Sequence, residues 1–551
     1  MATEPGYHGG NLLVSALAER GVRHVFSVSG GPLNPIYVAT LESSVRLIHT
    51  RHEAAAGFMA DATARLTGVP GVCAVTLGPG TTNVATAVLT ARMAGVPMLV
   101  IGGQAPVRTF DRGAGMSFDA LPMMSTLTKW SARVLTTNRI PEYVDKAWRQ
   151  MLSGRPGPVF LEIPSDVLGG PAEPVALDRR PSRPVRGPGI DPAAAEQLCE
   201  AVAAARRPLV LAGDDVHWSS SGDLLRRVID EYHLPFALLR LARGCVDERH
   251  PLCGGVGYVG ANRSLRAILG EADLLLLLGH DFEFDLDFGD FVRRELRVVQ
   301  VHPEASLLDR NVAADLSIQS TAEAALRALL PRTSRTSVDE AWADGVGAAW
   351  RGEREQLSLE GAGGEPLHPV RLVQLVAEAA PKDSVFVTSH GNVDFWADAW
   401  LQPAGPRRYL RAGQSGSLGA EVPYGVAARL AAKDAPVIIF VGDGGFGFHG
   451  MELETAARYQ LPVVVVVADD SSWGAIALPQ RRAYGVEVEM GLPRREWSQL
   501  ARALGCHGEA PQNEAEVGPA IQRSLESGRP AVVHVAIRSV ESPYMRYLSG
   551  G

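Results

Sequence analysis

The sequence predicts an α/β protein built from three doubly wound parallel-sheet domains. Short apolar runs, rich in β-branched residues, alternate with helix-spaced segments along most of the 551 residues. A connector with six prolines, Pro171–Pro192, separates the first two such regions. A polar stretch, Arg332–Gly364, with glycines at its end separates the last two. We therefore expect domains at 1–170, 193–331 and 366–551, in keeping with the usual size of domains.

The first domain alternates helices and strands. A turn, Ser29–Pro32, ends its first strand, and Gly78-Pro79-Gly80 ends a later one. The predicted elements are helix Asn11–Arg20, strands His24–Val28 and Arg46–His49, helix Ala54–Arg65, strand Gly71–Leu77, helix Thr82–Met93 and strand Met98–Ile101.

The middle domain has the same alternation. It contains glycine-rich patches such as Gly254-Gly255, but no GxGxxG between a strand and a helix. A ligand such as FAD or ADP therefore cannot be assigned to this domain. The predicted strands are Pro208–Ala212, Phe236–Leu239, Asp273–Leu278 and Arg297–Val301.

The third domain carries a βαβ unit with acidic residues at its strand ends. Val437–Val441 and Val463–Val467 read as strands buried on both faces. Between them we predict one helix whose buried face holds Met451, Leu453, Ala456 and Ala457. The unit mirrors Gly71–Ile101, which suggests a duplicated architecture. Chance similarity of generic βαβ units is the alternative.

Asp443 and Asp470 are 27 positions apart, but each follows a strand of the same predicted sheet. Their side chains can converge at the carboxyl edge, where open α/β sheets bind ligands. Two carboxylates suit a hard divalent ion such as Mg2+ that bridges a phosphate. The glycines of the intervening turn, Gly442, Gly444 and Gly445, would let the backbone approach that phosphate at a helix N-terminus. The alternative is a GDGG turn that merely ends a strand.

Composition excludes several classes of partner. The net charge is −8 and the isoelectric point is near 6.0, so no basic footprint for nucleic acid or an anionic membrane is present. Five scattered cysteines form no zinc pattern and fit a reducing compartment. Residues 1–10 have no signal-peptide pattern, and no apolar run approaches the length of a membrane span. We expect a cytoplasmic protein.

The strand, GDG turn, helix, buried strand and polar pair of the third domain resemble the cofactor motif of thiamine diphosphate-dependent enzymes. The three-domain order is similar over nearly the whole chain. Within that family, the similarity is to the acetolactate synthase, oxalyl-CoA decarboxylase and benzaldehyde lyase group. The further segments that carry it are Thr50–Gly57, Gly78–Asn83, Thr128–Trp130, Gly154–Val159 and Gly416–Gly419.

The resemblance implies a pyrimidine-binding, a middle and a diphosphate-binding domain, with thiamine diphosphate and Mg2+ as cofactors. It assigns the Mg2+ ligands to Asp443, the side chain of Asp470 and the backbone carbonyl of Ser472. The family's usual polar pair is Asn-Asn, whereas this chain has Asp469-Asp470. The extra negative charge should favour the metal and disfavour the diphosphate.

Glu53 is the catalytic residue that the resemblance implies. A protonated carboxyl that hydrogen-bonds the pyrimidine ring favours the tautomer whose own imine removes the C2 proton of the thiazolium. An apolar site keeps such a carboxyl protonated. The local sequence alone equally fits an exposed glutamate in the first turn of a helix.

Other cofactor contacts follow from the same resemblance. Leu418 takes the place of a bulky apolar residue between the two cofactor rings, or else fills the core. Gly391, Asn392 and Ser417 are expected near the diphosphate. Asn83 either contacts the pyrimidine or is the N-cap of the next helix.

The substrate pocket is expected to include Pro32, Phe118, Trp473, Ala475 and Ile476. Trp473 is equally explained as a core aromatic. The segment Ser117–Asp119 lies where many family members carry a glutamine that faces the cofactor. The lack of that glutamine is the second difference between this chain and the family pattern. His449 is either a proton relay or a polar residue at a helix start.

The expected activity is that of an acetolactate synthase-like decarboxylating carboligase on 2-oxo acids. A benzaldehyde lyase-like or acyl-CoA lyase is the alternative. A second class is a paralogue that keeps the fold without catalysis, as a structural or regulatory subunit. The partners expected are a small-molecule substrate and further copies of the chain, with a homodimer as the minimum unit and a homotetramer as the expected assembly.

Overall fold

The computed structural model describes residues 6–173, 187–330, 337–388 and 390–548. Within them lie three six-stranded sheets, all parallel, which confirms the predicted fold class. The chain divides into two compact units, Met1–Arg186 with Val422–Ala432, and Gly187–Glu421 with Lys433–Gly551. The predicted domain boundaries remain predictions, since the connector Pro171–Pro192 lies largely outside the described residues. No described helix is both long and apolar enough to cross a membrane.

The first sheet belongs to the first unit. Its elements are α1 (Gly9–Ala18), β1 (His24–Ser27), α2 (Asn34–Ala39), β2 (Arg46–His49), α3 (Glu53–Thr67), β3 (Gly71–Val75), α4 (Pro79–Asn83), α5 (Ala85–Met93), β4 (Met98–Gln104), α6 (Leu121–Leu127), β5 (Trp130–Arg133), α7 (Ile140–Leu152), β6 (Val159–Pro164) and α8 (Ser165–Leu168). The strand order is β2-β1-β3-β4-β6-β5. Every residue of β3, β4 and β6 is buried, because helices cover both faces of the sheet.

The chain enters the second sheet at one of its two central strands. Its elements are α9 (Pro192–Ala204), β7 (Pro208–Ala212), α10 (Asp214–Trp218), α11 (Gly222–Tyr232), β8 (Phe236–Leu238), β9 (Cys253–Val256), α12 (Arg263–Glu271), β10 (Leu274–Leu278), β11 (Arg297–His302), β12 (Leu316–Gln319), α13 (Ala322–Leu329) and the following α14 (Glu340–Glu360). The order β9-β8-β7-β10-β11-β12 reverses between β7 and β10, as in dinucleotide-binding folds. Two edge strands, β9 and β12, were not predicted, and the Gly254-Gly255 patch lies within β9.

The third sheet repeats the relative strand order of the first. Its elements are α15 (Pro369–Ala379), β13 (Val385–Thr388), α16 (Asp394–Ala397), β14 (Tyr409–Arg411), α17 (Glu421–Ala431), β15 (Val437–Gly442), α18 (Asp443–His449), α19 (Glu452–Arg458), β16 (Val464–Asp469), α20 (Gly474–Tyr484), α21 (Trp497–Ala503), β17 (His507–Glu509), α22 (Glu514–Glu526), β18 (Ala531–Ala536) and α23 (Pro543–Leu548). The order is β14-β13-β15-β16-β18-β17, which agrees with the predicted duplication.

The single helix predicted after Asp443 is two helices, α18 and α19. The chain packs tightly at the break, since a Cβ on Gly450 would lie 2.7 Å from the carbonyl oxygen of Phe446. Leu453 and Ala456 are buried as predicted, but Met451 is 49% exposed. The prediction for Met451 was wrong because one helical period was extended across two helices.

A buried polar network holds α17 to α3 within the first unit. Arg65 donates from Nε and Nη2 to the two carboxylate oxygens of Asp61, each at 2.9 Å. The hydroxyl of Tyr424 also donates to Asp61, and the Arg65 guanidinium stacks on the Tyr424 ring. All three side chains are almost fully buried, so the network depends on each of its members.

Asp61→Asn keeps the shape of this side chain but removes the charge that faces Arg65. We expect the first unit to lose about 3 kcal/mol of unfolding free energy, as when one partner of a buried ion pair is removed. Hydrogen exchange of the α3 amides and urea unfolding measure this loss. The control Tyr424→Phe removes a single hydrogen bond and should cost about 1 to 2 kcal/mol. Equal stability of Asp61→Asn and the parent protein would contradict the expectation.

Candidate functional site

Three carboxylates meet at the carboxyl edge of the third sheet. Asp443 is the first residue after β15, Asp469 is the last residue of β16, and Asp470 follows it. The two strands are neighbours, with Gly442 opposite Ala468, so their ends lie at the same level. The acidic residues singled out in the sequence therefore do converge.

Asp469 is held by neighbours within the sheet. One of its oxygens lies 2.7 Å from Nε2 of His534, and the other accepts hydrogen bonds from the amide and hydroxyl of Ser471. Burial acts to raise the pKa of Asp469, but these hydrogen bonds outweigh it, and the pKa is lowered. Asp469 is therefore held as a carboxylate. His534 could not be linked to it from the sequence, because 65 residues separate them.

The pKa values of Asp443 and Asp470 are shifted in the opposite direction. Burial, followed by the charges of Asp469 and Asp470, raises the pKa of Asp443 to about 8. Burial also raises the pKa of Asp470 to about 6, although Ser539 donates a hydrogen bond to its Oδ2 at 2.9 Å. Because each negative charge disfavours the next, a divalent cation would relieve the repulsion within the group. These oxygen donors, with the backbone of Ser472 beside them, fit a hard cation.

The glycine turn is packed too closely for side chains. A Cβ on Gly444 would lie 2.6 Å from the ring of Trp473, and one on Gly445 would lie 3.1 Å from Cγ2 of Val441 and 3.4 Å from Oε1 of Glu421. This turn borders a cavity of about 400 Å3 with mostly apolar walls. The cavity is lined by Asp443, Gly444, Gly447, Phe448, Trp473, Leu492, Pro493, Arg495 and Trp497.

Glu421 is a site residue that the sequence analysis missed. Its side chain is 1% exposed, and neither carboxyl oxygen has a hydrogen-bond partner of good geometry among the described residues. Burial, followed by the charge of Asp394, raises the pKa of Glu421 to about 8. The sequence offers only an acid in the first turn of a helix, which is ordinary, so no signal marked it.

Asn392 fastens a loop next to the carboxylates. Its Nδ2 donates to the carbonyl of Val540 at 2.6 Å, and its Oδ1 accepts from the amide of Ser542 at 2.9 Å. A Cβ on Gly474 would lie 2.7 Å from Oδ2 of Asp470 and 3.6 Å from Nδ2 of Asn392, so these side chains are close together. The neighbouring amide of Gly391 donates to Asp394 at 2.7 Å.

The loop that carries Ser417 and Leu418 lies against the end of α18. Both side chains are half-buried. Gly419 has a φ of +85°, and a Cβ there would lie 2.4 Å from Cβ of Phe448. Nδ1 of His449 is 2.9 Å from the carbonyl oxygen of Gly419. His449 is the last residue of α18, not a helix start, and it positions this loop.

The first unit places Asn83 directly on Glu53. Asn83 Nδ2 donates to Oε2 of Glu53 at 3.0 Å, and Glu53 is 9% exposed at the start of α3. Asn83 is the last residue of α4, and Val84 is the N-cap of α5, so Asn83 has no capping role there. A Cβ on Gly80 would lie 3.5 Å from Oε1 of Glu53, which leaves the carboxyl between these two residues.

The predicted substrate-pocket residues are spread over several places. Trp473 lines the cavity beside Asp443, whereas Ala475 packs against a cluster that includes Phe395, and Ile476 is 59% exposed. In the first unit, Pro32 and Phe118 are half-buried. A Cβ on Gly103, near the end of β4, would lie 3.1 Å from Pro32, and the next residue, Gln104, donates to the carbonyl of Phe118 at 3.0 Å.

The middle sheet carries a buried ion cluster where its strand order reverses. The guanidinium of Arg240 lies 3.0 Å from Asp214, 3.0 Å from Glu283 and 3.1 Å from Asp285. Burial raises the pKa of Glu283 to about 8 and that of Asp285 to about 6. The described residues of this crevice assign neither FAD nor ADP to the middle domain, a ligand that the sequence also left unassigned.

The comparisons with known proteins agree with this geometry. The N-terminal TPP binding domain, the central domain and the C-terminal TPP binding domain of thiamine pyrophosphate enzymes match residues 7–123, 195–329 and 389–535. The chain is similar to an acetolactate synthase large subunit of Mycobacterium tuberculosis, with 32% identity over 96% of this chain and 95% of the relative. It is also similar to 2-hydroxyacyl-CoA lyase 2 of Homo sapiens, with 31% identity over 96% and 90%. The chain belongs to the thiamine pyrophosphate enzyme family.

Proposed function

We propose that this protein is a thiamine diphosphate- and Mg2+-dependent enzyme that makes or breaks a carbon–carbon bond next to a carbonyl. The preferred activity is a decarboxylating carboligase on 2-oxo acids, similar to acetolactate synthase. The observation that carries the proposal is the pair Asp443 and Asp470, whose raised pKa values call for a cation beside an apolar cavity.

Asp443, Asp470 and the carbonyl of Ser472 would hold Mg2+. Gly442, Gly444 and Gly445 would admit the diphosphate, because the crowding around Gly444 and Gly445 leaves bare backbone at the turn. Gly391 and Asn392 would contribute from the neighbouring loop, and Ser417 and Leu418 from the loop against α18. Glu421 lies behind the glycine turn as a neutral acid at neutral pH, so it adds no charge against the diphosphate.

When bound, the thiazolium ring supplies the electron sink for the bond that is cleaved. Glu53 would donate a hydrogen bond to the pyrimidine ring, and Asn83 would hold its carboxyl in place. The polar contact from Asn83 restricts the Glu53 rotamer, and burial at 9% exposure limits competition from water. Both are requirements for a positioned proton donor.

Arg495 favours a 2-oxo acid as the substrate. Of the described residues that line the cavity beside Asp443, it is the one with a cationic side chain, and Phe448, Trp473 and Trp497 supply apolar walls. A 2-oxo acid substrate with one carboxylate and a small apolar group matches that lining. Cleavage of a 2-hydroxyacyl-CoA is the second candidate activity, since the human relative of that name is nearly as similar as the acetolactate synthase subunit. Assays with pyruvate and with a 2-hydroxyacyl-CoA separate the two.

Exposed apolar side chains support assembly with further copies of the chain. They lie on α18, on α20 and in the segment after α20, next to the proposed metal site, and large exposed apolar groups of this kind mark interaction surfaces. We propose a homodimer as the minimum unit and a homotetramer as the full assembly. The residues are Phe448, Ile476, Tyr484, Val486 and Val488, each more than half exposed. The five free cysteines support a reducing cytoplasm as the location.

Glu53→Gln tests the catalytic role. The amide cannot supply the acidic proton, so we expect turnover to fall by at least about a hundredfold, the lower range for loss of a general acid–base group. Calorimetric titration with thiamine diphosphate and Mg2+ should still show binding within about threefold of the parent, since Gln keeps the hydrogen-bonding shape. Full activity in this variant would rule out the mechanism. Absence of cofactor binding in the parent protein would instead point to a noncatalytic paralogue.

Asp470→Asn tests how the negative charge of the Asp469-Asp470 pair affects cofactor affinity. It keeps an oxygen ligand for Mg2+ and removes one negative charge near the diphosphate, so cofactor affinity should be retained or increase by up to about tenfold. Titration at constant Mg2+ measures the change. Ser539→Ala, which removes the hydrogen-bond donor to Asp470 and keeps its charge, is the matched control. A large loss of affinity in Asp470→Asn would mean that the carboxylate itself is required.

The raised pKa of Asp443 predicts a pH-dependent metal affinity. Mg2+ binds the deprotonated carboxylate, so affinity should rise as the pH increases from about 6 to about 8 and then level off, with protons released on binding. Titrations in two buffers of different ionisation enthalpy measure that release. Glu421 has a similar pKa but is not a proposed ligand, so Glu421→Gln should keep the same pH profile. Loss of the profile in Glu421→Gln would assign it to Glu421 instead.

A further inference from the structure

A second cavity, of about 420 Å3, lies in the second unit, and none of the described residues lines both it and the cavity at the GDG turn. It forms where α14, α15, the start of β13 and the segment after α16 come together with Arg249 of the middle domain. Its lining is strongly cationic, with apolar groups between the charges. The cationic members are Arg249, Arg354, Arg371 and Lys382, and the acidic member is Glu378.

Arg354 is the unusual member of this lining. Its guanidinium stacks on Trp400, 4.6 Å from the ring centroid, and burial lowers its pKa. It forms no ion pair with any carboxylate of the described residues, and its Nε has no hydrogen-bond partner among them. Glu248, whose charge acts on it, is already bound by Arg243 at 3.0 and 2.7 Å. A half-buried cation without a counter-charge is costly unless a ligand supplies one.

The other cations of the lining differ in how far they are neutralised. Arg371 pairs with Glu378 at 3.1 Å and with Glu514 at 2.6 Å, and Arg249 pairs with Asp247. Lys382 is exposed and forms no ion pair within the described ranges. Two positive charges, on Arg354 and Lys382, therefore remain unmatched in the cavity.

We propose that this cavity binds a phosphate monoester. A dianionic phosphate matches the two unmatched charges, and the guanidinium of Arg354 can bind two of its oxygens. Ala377, Phe386 and Trp400 provide an apolar surface for the organic part, and the volume is in the usual range for small-molecule sites. The ligand would join α14 to the third sheet, so its binding would stabilise the junction between the middle and last sheets.

Calorimetric titration with glycerol 3-phosphate tests the proposal. Thiamine diphosphate and Mg2+ are kept present so that phosphate sites at the GDG turn are filled. We expect binding by the parent protein, at least about tenfold weaker binding by Arg354→Gln, and unchanged binding by Arg294→Gln. Arg294 is an exposed arginine of the same unit that lines neither cavity, so its variant controls for net charge. Glycerol should not bind, and inorganic phosphate should bind with the same dependence on Arg354.

Several outcomes would overturn the proposal. These are no binding by the parent protein, equal binding by Arg354→Gln, tighter binding of succinate than of the phosphate, and displacement of glycerol 3-phosphate by added thiamine diphosphate. Lys382→Gln is a second variant, on the surface, that should weaken binding severalfold even if Arg354→Gln does not fold. If the parent protein binds no thiamine diphosphate, glycerol 3-phosphate binding can still be compared between the parent and these variants. This is because neither Arg354 nor Lys382 lies at the GDG turn.

Discussion

Repulsion between the carboxylates at the adjacent ends of β15 and β16 is the constraint on which the candidate site depends. The register of these strands forces Asp443 and Asp469 to the same level, and Asp470 follows immediately. His534 stabilises the carboxylate of one of the three through its contact with Asp469. Burial raises the pKa values of the other two, that of Asp443 the more, and a bound cation would relieve the repulsion among the three. The backbone of Gly444 and the side-chain amide of Asn392 lie beside the three carboxylates. The negative charge of the carboxylates complements the positive charge of a divalent cation.

Much of this arrangement could be predicted from the chain itself. Runs such as Val463–Val467 are short, β-branched and apolar at every position, which favours a strand covered on both faces. Acidic residues directly after two such runs must meet if the strands are parallel neighbours, as Asp443 and Asp470 do. Glu53 was identified through a family pattern, since its local sequence also fits an exposed helix start.

The rest depends on contacts between residues remote in the chain. The edge strands β9 and β12 have four residues each, too few for a clear period, and β9 contains two glycines, so pairing with β8 and β11 defines them. The bond from His534 to Asp469 follows from the pairing of β16 with β18. The burial of Glu421 follows from its packing near Gly445, a residue of the distant glycine turn. None of these leaves a periodic signal, because each arises from tertiary packing.

The ion cluster around Arg240 has a consequence for how the middle sheet tolerates substitution. The strand order of this sheet is that of nucleotide-binding folds, and the cluster lies where that order reverses. Replacing Arg240 alone would leave several acids facing one another, and replacing one acid alone would still leave an excess of negative charge. The members of the cluster therefore depend on one another, and a single substitution at any of them is expected to lower the stability of the middle sheet.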